Sequence, residues 1–186
     1  LERTMPIAGH IVHMPAHIYL RVGQFQRAID QNVRSQAVDR QFAEIWGDHP
    51  LPDIGTYPLS HQIHAGHAID FIRYAATVQG NYGVAIEAAE RAKAIAVESG
   101  NLDRGQKRIA APWLVHKTFG RWHELIESEP SHSGLPYLDG IWAYSLGSAL
   151  LNTGDIAGAE NQLALLREIT EAPSADQHRA GPTPVS

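Results

Sequence analysis

The sequence predicts an all-α protein built from helical hairpins. Two observations predict this class. Stretches that alternate apolar and polar residues are scarce, and helical periodicity recurs on both sides of short glycine-containing turns. With 186 residues, 44% of them hydrophobic and 19% charged, the chain is long enough for one globular domain or a short repeat array. We therefore expect about four antiparallel hairpins and essentially no sheet.

Four segments justify these hairpins in chain order. Each has a helix, a turn glycine and a second helix, and the turn glycines are Gly23, Gly80, Gly120 and Gly154. Glycine suits the left-handed backbone that commonly ends a helix. A large apolar residue follows each glycine two positions later. From this offset we predict that Phe25 and Tyr82 wedge between the two helices of their own hairpins.

The connecting segments have a different composition. Residues 46–60 hold three prolines and two glycines, which predicts a long loop between the first and second hairpins. A shorter break covers residues 128–136. Residues 172–186 are rich in Pro, Ser and Gly and lack an apolar period, which predicts a disordered tail after a helical domain at residues 1–171. The opening LERTMPIAGH is typical of the middle of a helical protein, so we expect an N-terminal portion to precede it.

Two histidine clusters carry the strongest chemical signal, because imidazole is the commonest metal ligand in proteins. They lie in GHIVHMPAHIY and SHQIHAGHAIDF, and their members are His10, His13 and His17, then His61, His64 and His67, with Asp70 at the next step of three. On a helix the first cluster spans an arc of roughly 60° and the second about 120°. Each cluster can therefore present several imidazoles on one side of a helix.

The turn pattern resembles the tetratricopeptide repeat, best at residues 18–39 and 74–94. The segments HMPAHIYLRVG and HAIDFIRYAATVQG are similar to a bacterial subset of that family with HMPxHI and HAxDF-type motifs. The resemblance implies a right-handed solenoid whose first helices line a concave groove, where a protein or peptide partner can bind. Members of the subset extend upstream through further helices, and both cytoplasm and periplasm stay open as the location.

Placed on neighbouring inner helices, the clusters predict a metal site. His13 and His17 would face His67 and Asp70 across an interhelical distance of about 8–10 Å, with His10 and His64 as further candidates. Imidazole suits zinc, copper, iron and nickel, so the spacing leaves the divalent metal open. The absence of cysteine argues only against thiolate-rich sites. If catalytic, an open coordination position could activate water or oxygen, so a metalloenzyme of unknown substrate is one interpretation.

Other interpretations stay open beside the metal site. The histidines could be structural, form a pH-sensitive packing network, or contact a partner of a non-enzymatic scaffold. Pro15 could begin a helix, which would leave His10 before it. Asn32 could face the groove or be a solvated helix position, and His116 and His123, beside the third turn, are weaker candidates.

Composition excludes several classes. No basic stripe favours nucleic acid, the net charge of -5 is mild, and no apolar run approaches the length of a membrane span. Glycine-rich phosphate loops, the G-x-S-x-G elbow and H-E-x-x-H are also missing from the sequence.

Overall fold

The computed structural model describes residues 8–46, 65–129 and 134–172, and within these ranges the protein is helical and has no strand. This confirms the all-α prediction. The helices are α1 (Gly9–His13), α2 (Pro15–Arg21), α3 (Phe25–Trp46), α4 (Ala65–Gln79), α5 (Tyr82–Glu98), α6 (Leu102–Ile109), α7 (Ala111–Thr118), α8 (Trp122–Ile126), α9 (Pro136–Thr153) and α10 (Ile156–Glu171).

The chain divides into two compact units, Leu1–Ala88 and Ala89–Ser186. In the first unit, α3 packs against α1, α2 and α4. Its core is rich in small side chains that are fully or almost fully buried: Ala16, Ala28, Ala68, Ala75, Ala76 and Ala85. Small residues let helix axes approach closely, so the first unit is a tightly packed support for the histidine-bearing helices.

Helix α1 is held on α3 by polar side chains rather than by apolar packing alone. Ser35 Oγ donates a 2.7 Å hydrogen bond to the carbonyl of Gly9, and Gln31 Nε2 donates one of 2.6 Å to the carbonyl of Val12. The Asp39 carboxylate lies where a Cβ on Gly9 would be, so a larger residue at this position would require the Asp39 side chain to move. The Ser35 bond holds the N-terminal end of the five-residue α1, and the Gln31 bond holds the C-terminal end, which carries His13.

The four predicted turn glycines all have left-handed backbone, with φ of 73° at Gly23, 79° at Gly80, 64° at Gly120 and 92° at Gly154. A fifth, Gly100 at 67°, joins α5 to α6. This turn has the same pattern as the other four, with Leu102 two positions later and Gly105 five positions later. The sequence therefore carries a fifth turn signal beyond the four that were predicted.

The most buried residues after these turns are not the predicted wedge residues. Phe25 and Tyr82 are partly buried, whereas Ala28 and Ala85, five positions after the glycine, are fully buried. The third hairpin places Leu125 at this fifth position, also fully buried. The fully buried position therefore lies one helical turn further along the chain than the predicted wedge residue.

The second unit has an aromatic core. Trp113 of α7 and Trp142 of α9 pack with ring centroids 5.0 Å apart, in a cluster that includes Leu125 and Leu138. The fully buried Gln106 accepts a 3.3 Å hydrogen bond from the backbone N–H of Leu138, so a side chain of α6 caps the first turn of α9. These contacts join α6, α7, α8 and α9.

Several predictions concern residues outside the described ranges. Of the predicted loop at residues 46–60, Trp46 lies in α3 and residues 47–60 are not described; of the tail, Ala172 follows α10 and residues 173–186 are not described. The right-handed solenoid of four hairpins stays a prediction. Among the described helices, none is both long and apolar enough to cross a membrane.

Candidate metal centre

Three predicted histidines meet within the first unit. His13 ends α1, His17 lies in the first half of α2 and His67 lies in the first turn of α4. Each offers a ring nitrogen, and the three nitrogens all lie within 4.8 Å of one another. Met14, between α1 and α2, has helical φ of −52° and ψ of −37°, and the spacing of four places His13 and His17 next to each other, with ring centroids 4.8 Å apart.

His13 is the buried member of the group, with 2% of its surface exposed. Its Nδ1–H donates a 2.7 Å hydrogen bond to Oδ1 of Asn32, and Nδ2 of Asn32 donates one of 2.7 Å to the carbonyl of Ala28. The second bond identifies which end of the Asn32 amide faces His13, and these partners assign the proton of His13 to Nδ1. The lone pair on Nε2 of His13 is therefore available to a ligand.

His17 faces that lone pair. The two Nε2 atoms of His13 and His17 are 3.0 Å apart. Without a metal, Nε2–H of His17 can donate to His13. Two imidazole nitrogens on one tetrahedral zinc ion, at roughly 2.0–2.1 Å each, would be about 3.3 Å apart. The two rings could therefore bind one zinc ion after a small movement apart, once the proton of His17 has moved from Nε2 to Nδ1.

His67 completes the group and reaches solvent. Its ring centroid lies 4.7 Å from that of His13 and 6.0 Å from that of His17. Phe71, one turn later on α4, packs edgewise against all three imidazoles at centroid distances of 4.6 to 4.9 Å. The phenyl ring thus shields one side of the group, while the exposed His67 borders the solvent on another.

Burial also sets the charge of the central imidazole. Desolvation lowers the pKa of His13 to about 4, and the neighbouring histidines act in the same direction. The hydrogen bond from His13 to Asn32 opposes this shift without cancelling it. His13 is therefore neutral at any pH near 7, which is the form that binds a metal.

The remaining predicted ligands are placed differently. The ring of His10, on α1, has its centroid 6.1 Å from that of His13. Asp70 is partly buried on α4, and neither residue belongs to the group of three. His64 lies outside the described residues, as does His61. Pro15 begins α2, in agreement with one of the interpretations above, but the preceding α1 makes His10 helical as well.

Two residues that shape the site could not be assigned to it from the sequence pattern alone. Asn32 fits a solvated helix position equally well in the sequence, but it is fully buried and bonded to His13. Phe71 was not predicted to belong to the site, although its offset of four from His67 indicates contact between them. In the second unit, burial lowers the pKa of His116, and it belongs to no group of three candidate ligands in the described part of the chain.

Comparison with known proteins supplies no function: no family model, no curated protein and no solved structure matches the chain.

Proposed function

We propose that this protein binds a divalent transition metal through His13, His17 and His67. The observation that carries the proposal is the approach of three imidazole nitrogens to within 4.8 Å of one another on three helices. His13 is buried and its Nε2 lies 3.0 Å from Nε2 of His17, so one cation could accept the lone pairs of neighbouring imidazoles that lie together already. His13 also has the orienting hydrogen bond that metal-ligating histidines usually have on their other nitrogen.

The imidazole ligands limit which metals can bind at this site but do not identify one metal. Neutral imidazoles suit zinc, copper, iron and nickel, whereas calcium and magnesium prefer oxygen ligands. Zinc with three histidines and one further ligand is a common catalytic arrangement. A metalloenzyme is therefore part of the proposal, in which the bound ion supplies Lewis acidity and the chain supplies three oriented imidazoles, a phenyl shield and access to solvent.

Metal titration of the full chain, purified without a histidine tag, tests this function. We expect His17→Ala to lower the affinity for zinc, copper, nickel or iron(II) by at least about tenfold, because one of three ligands is lost. His123→Ala is the matched control, since it removes an exposed helical histidine of the second unit. Its affinity should equal that of the wild type.

The triple variant His13→Ala, His17→Ala, His67→Ala gives the decisive comparison. If all four metals bind it as tightly as they bind the wild type, the metal proposal is wrong. The clusters would then be a structural network or contacts to a partner of a helical scaffold. Circular dichroism of the variant establishes that a loss of affinity does not come from unfolding.

A further inference from the structure

Within the described part of the chain, the three imidazoles leave one position of a tetrahedral ion without a protein donor. A tetrahedral ion needs four ligands, and the group in the described residues has three members. The side chain that touches all three rings is Phe71, which has no lone pair to offer.

The charge of the site favours an anion at that position. Three neutral imidazoles add no negative charge, and no carboxylate belongs to the group among the residues that the structure describes. A divalent ion there keeps its full positive charge. The buried His13 lies beside a phenyl ring, where a low local dielectric strengthens attraction to a negative ligand. His67, exposed at the edge of the group, leaves a route from solvent.

We infer that the metal centre binds a small anion directly at an open fourth position, next to His67. This inference rests on the proposed metal function and deepens it by naming the class of ligand. A site of this kind would act on small anionic substrates, or be inhibited by small anions, because a coordinated anion displaces solvent and offsets the charge of the ion.

Cobalt(II) provides a visible readout, because its absorption bands depend on the number and type of its ligands. The full chain is loaded with cobalt(II) and titrated with azide, with perchlorate at equal ionic strength as the non-coordinating control. We expect the bands to shift with azide until they saturate and to stay unchanged with perchlorate. Unchanged bands at high azide would overturn the inference.

Substitutions at Phe71 sharpen the test. Phe71→His adds a donor beside the three imidazoles, so it should tighten cobalt binding and abolish the azide response. Phe71→Leu adds no donor and should keep the response. An azide response that is lost in both variants alike would contradict the assigned position.

The cobalt and azide titrations distinguish an error in the open position from an error in the proposed metal function. If cobalt binds the wild type more tightly than it binds the triple histidine variant and azide has no effect, only the open position is wrong. If cobalt binds both proteins equally, the metal function is wrong and the inference is overturned with it.

Discussion

At the scale of single residues, the site depends on one buried hydrogen bond. Asn32 holds the Nδ1–H of His13 and so directs its Nε2 lone pair toward His17. We expect Asn32→Leu to lower metal affinity by about 10–100-fold, the usual effect of removing the partner of a ligating histidine. The free energy of unfolding should also fall, by about 1–3 kcal/mol, because the N–H stays buried without an acceptor.

Two further variants separate positioning from stability. Asn32→Asp keeps an oxygen acceptor and should restore most of the affinity. Ser35→Ala removes a hydrogen bond to Gly9 from the same face of α3 without touching His13. It should lower stability alone. Equal losses of affinity in Ser35→Ala and Asn32→Leu would show that Asn32 acts only through folding. Isothermal titration and urea unfolding measure both quantities.

The shifted pKa of His13 predicts how stability depends on pH. The unfolded chain binds a proton at this residue near pH 6.5, whereas the folded protein binds it only near pH 4. Between these values the unfolded state holds more protons, so stability must fall as pH decreases from about 6.5 to 4. The contribution of His13 to this loss is at most about 3 kcal/mol. Urea unfolding of the metal-free protein measures it.

His13→Gln is the comparison for this pH dependence, since glutamine does not titrate. Its free energy of unfolding should change less than that of the wild type between pH 6.5 and 4. Burial also lowers the pKa of His116, so part of the slope should remain in the variant. Identical slopes in the two proteins would contradict the burial of a neutral imidazole at position 13.

The sequence could predict the group of three histidines but not the residues that surround it. The spacing of four between His13 and His17 is local, so helix geometry alone places the two side chains together. His67 required the family resemblance, because it comes from a different helix. The burial of Asn32 depends on how α3 packs against α1. No local pattern specifies that packing, and this is why Asn32 stayed undecided.

At the scale of the helices, the turn glycines give a test of backbone conformation. Gly80 has φ of 79° and no atom within 4 Å of a Cβ placed on it. Gly80→Ala should therefore cost about 1–2 kcal/mol from backbone strain alone. Gly83→Ala, three residues later in α5, meets only Asn81 Oδ1 at 3.8 Å and should stabilise the protein by about 0.5–1 kcal/mol. Thermal unfolding of both variants compares them.

Opposite signs for these two substitutions are the expected result. Destabilisation by both would mean that α5 begins later than Tyr82, and stabilisation by both would mean that Gly80 is not left-handed. The turns could be predicted because a left-handed glycine is encoded locally. The breaks between α1 and α2 and between α6 and α7 could not be predicted. The residues at these breaks, Met14 and Ala110, have helical backbone angles.

At the scale of the whole molecule, the candidate site belongs to one of two compact units. All three histidines lie within residues 1–88. Metal that binds only the folded site stabilises the elements that form it. We therefore expect saturating zinc to slow hydrogen exchange in α1, α2 and α4, and to leave α9 and α10 unchanged. The triple histidine variant should show no zinc effect in any helix. Equal protection of α9 and α10 in the wild type would contradict a site confined to the first unit.

X-ray absorption of the zinc-loaded full chain tests the metal centre most directly, because it counts the ligands of the ion. We predict three imidazole nitrogens at roughly 2.0–2.1 Å, with one further ligand from solvent or a small anion. The imidazole signal should fall to two in His17→Ala and stay at three in His123→Ala. A zinc shell with one imidazole or none, or a shell that is unchanged in the triple histidine variant, would contradict the centre formed by His13, His17 and His67.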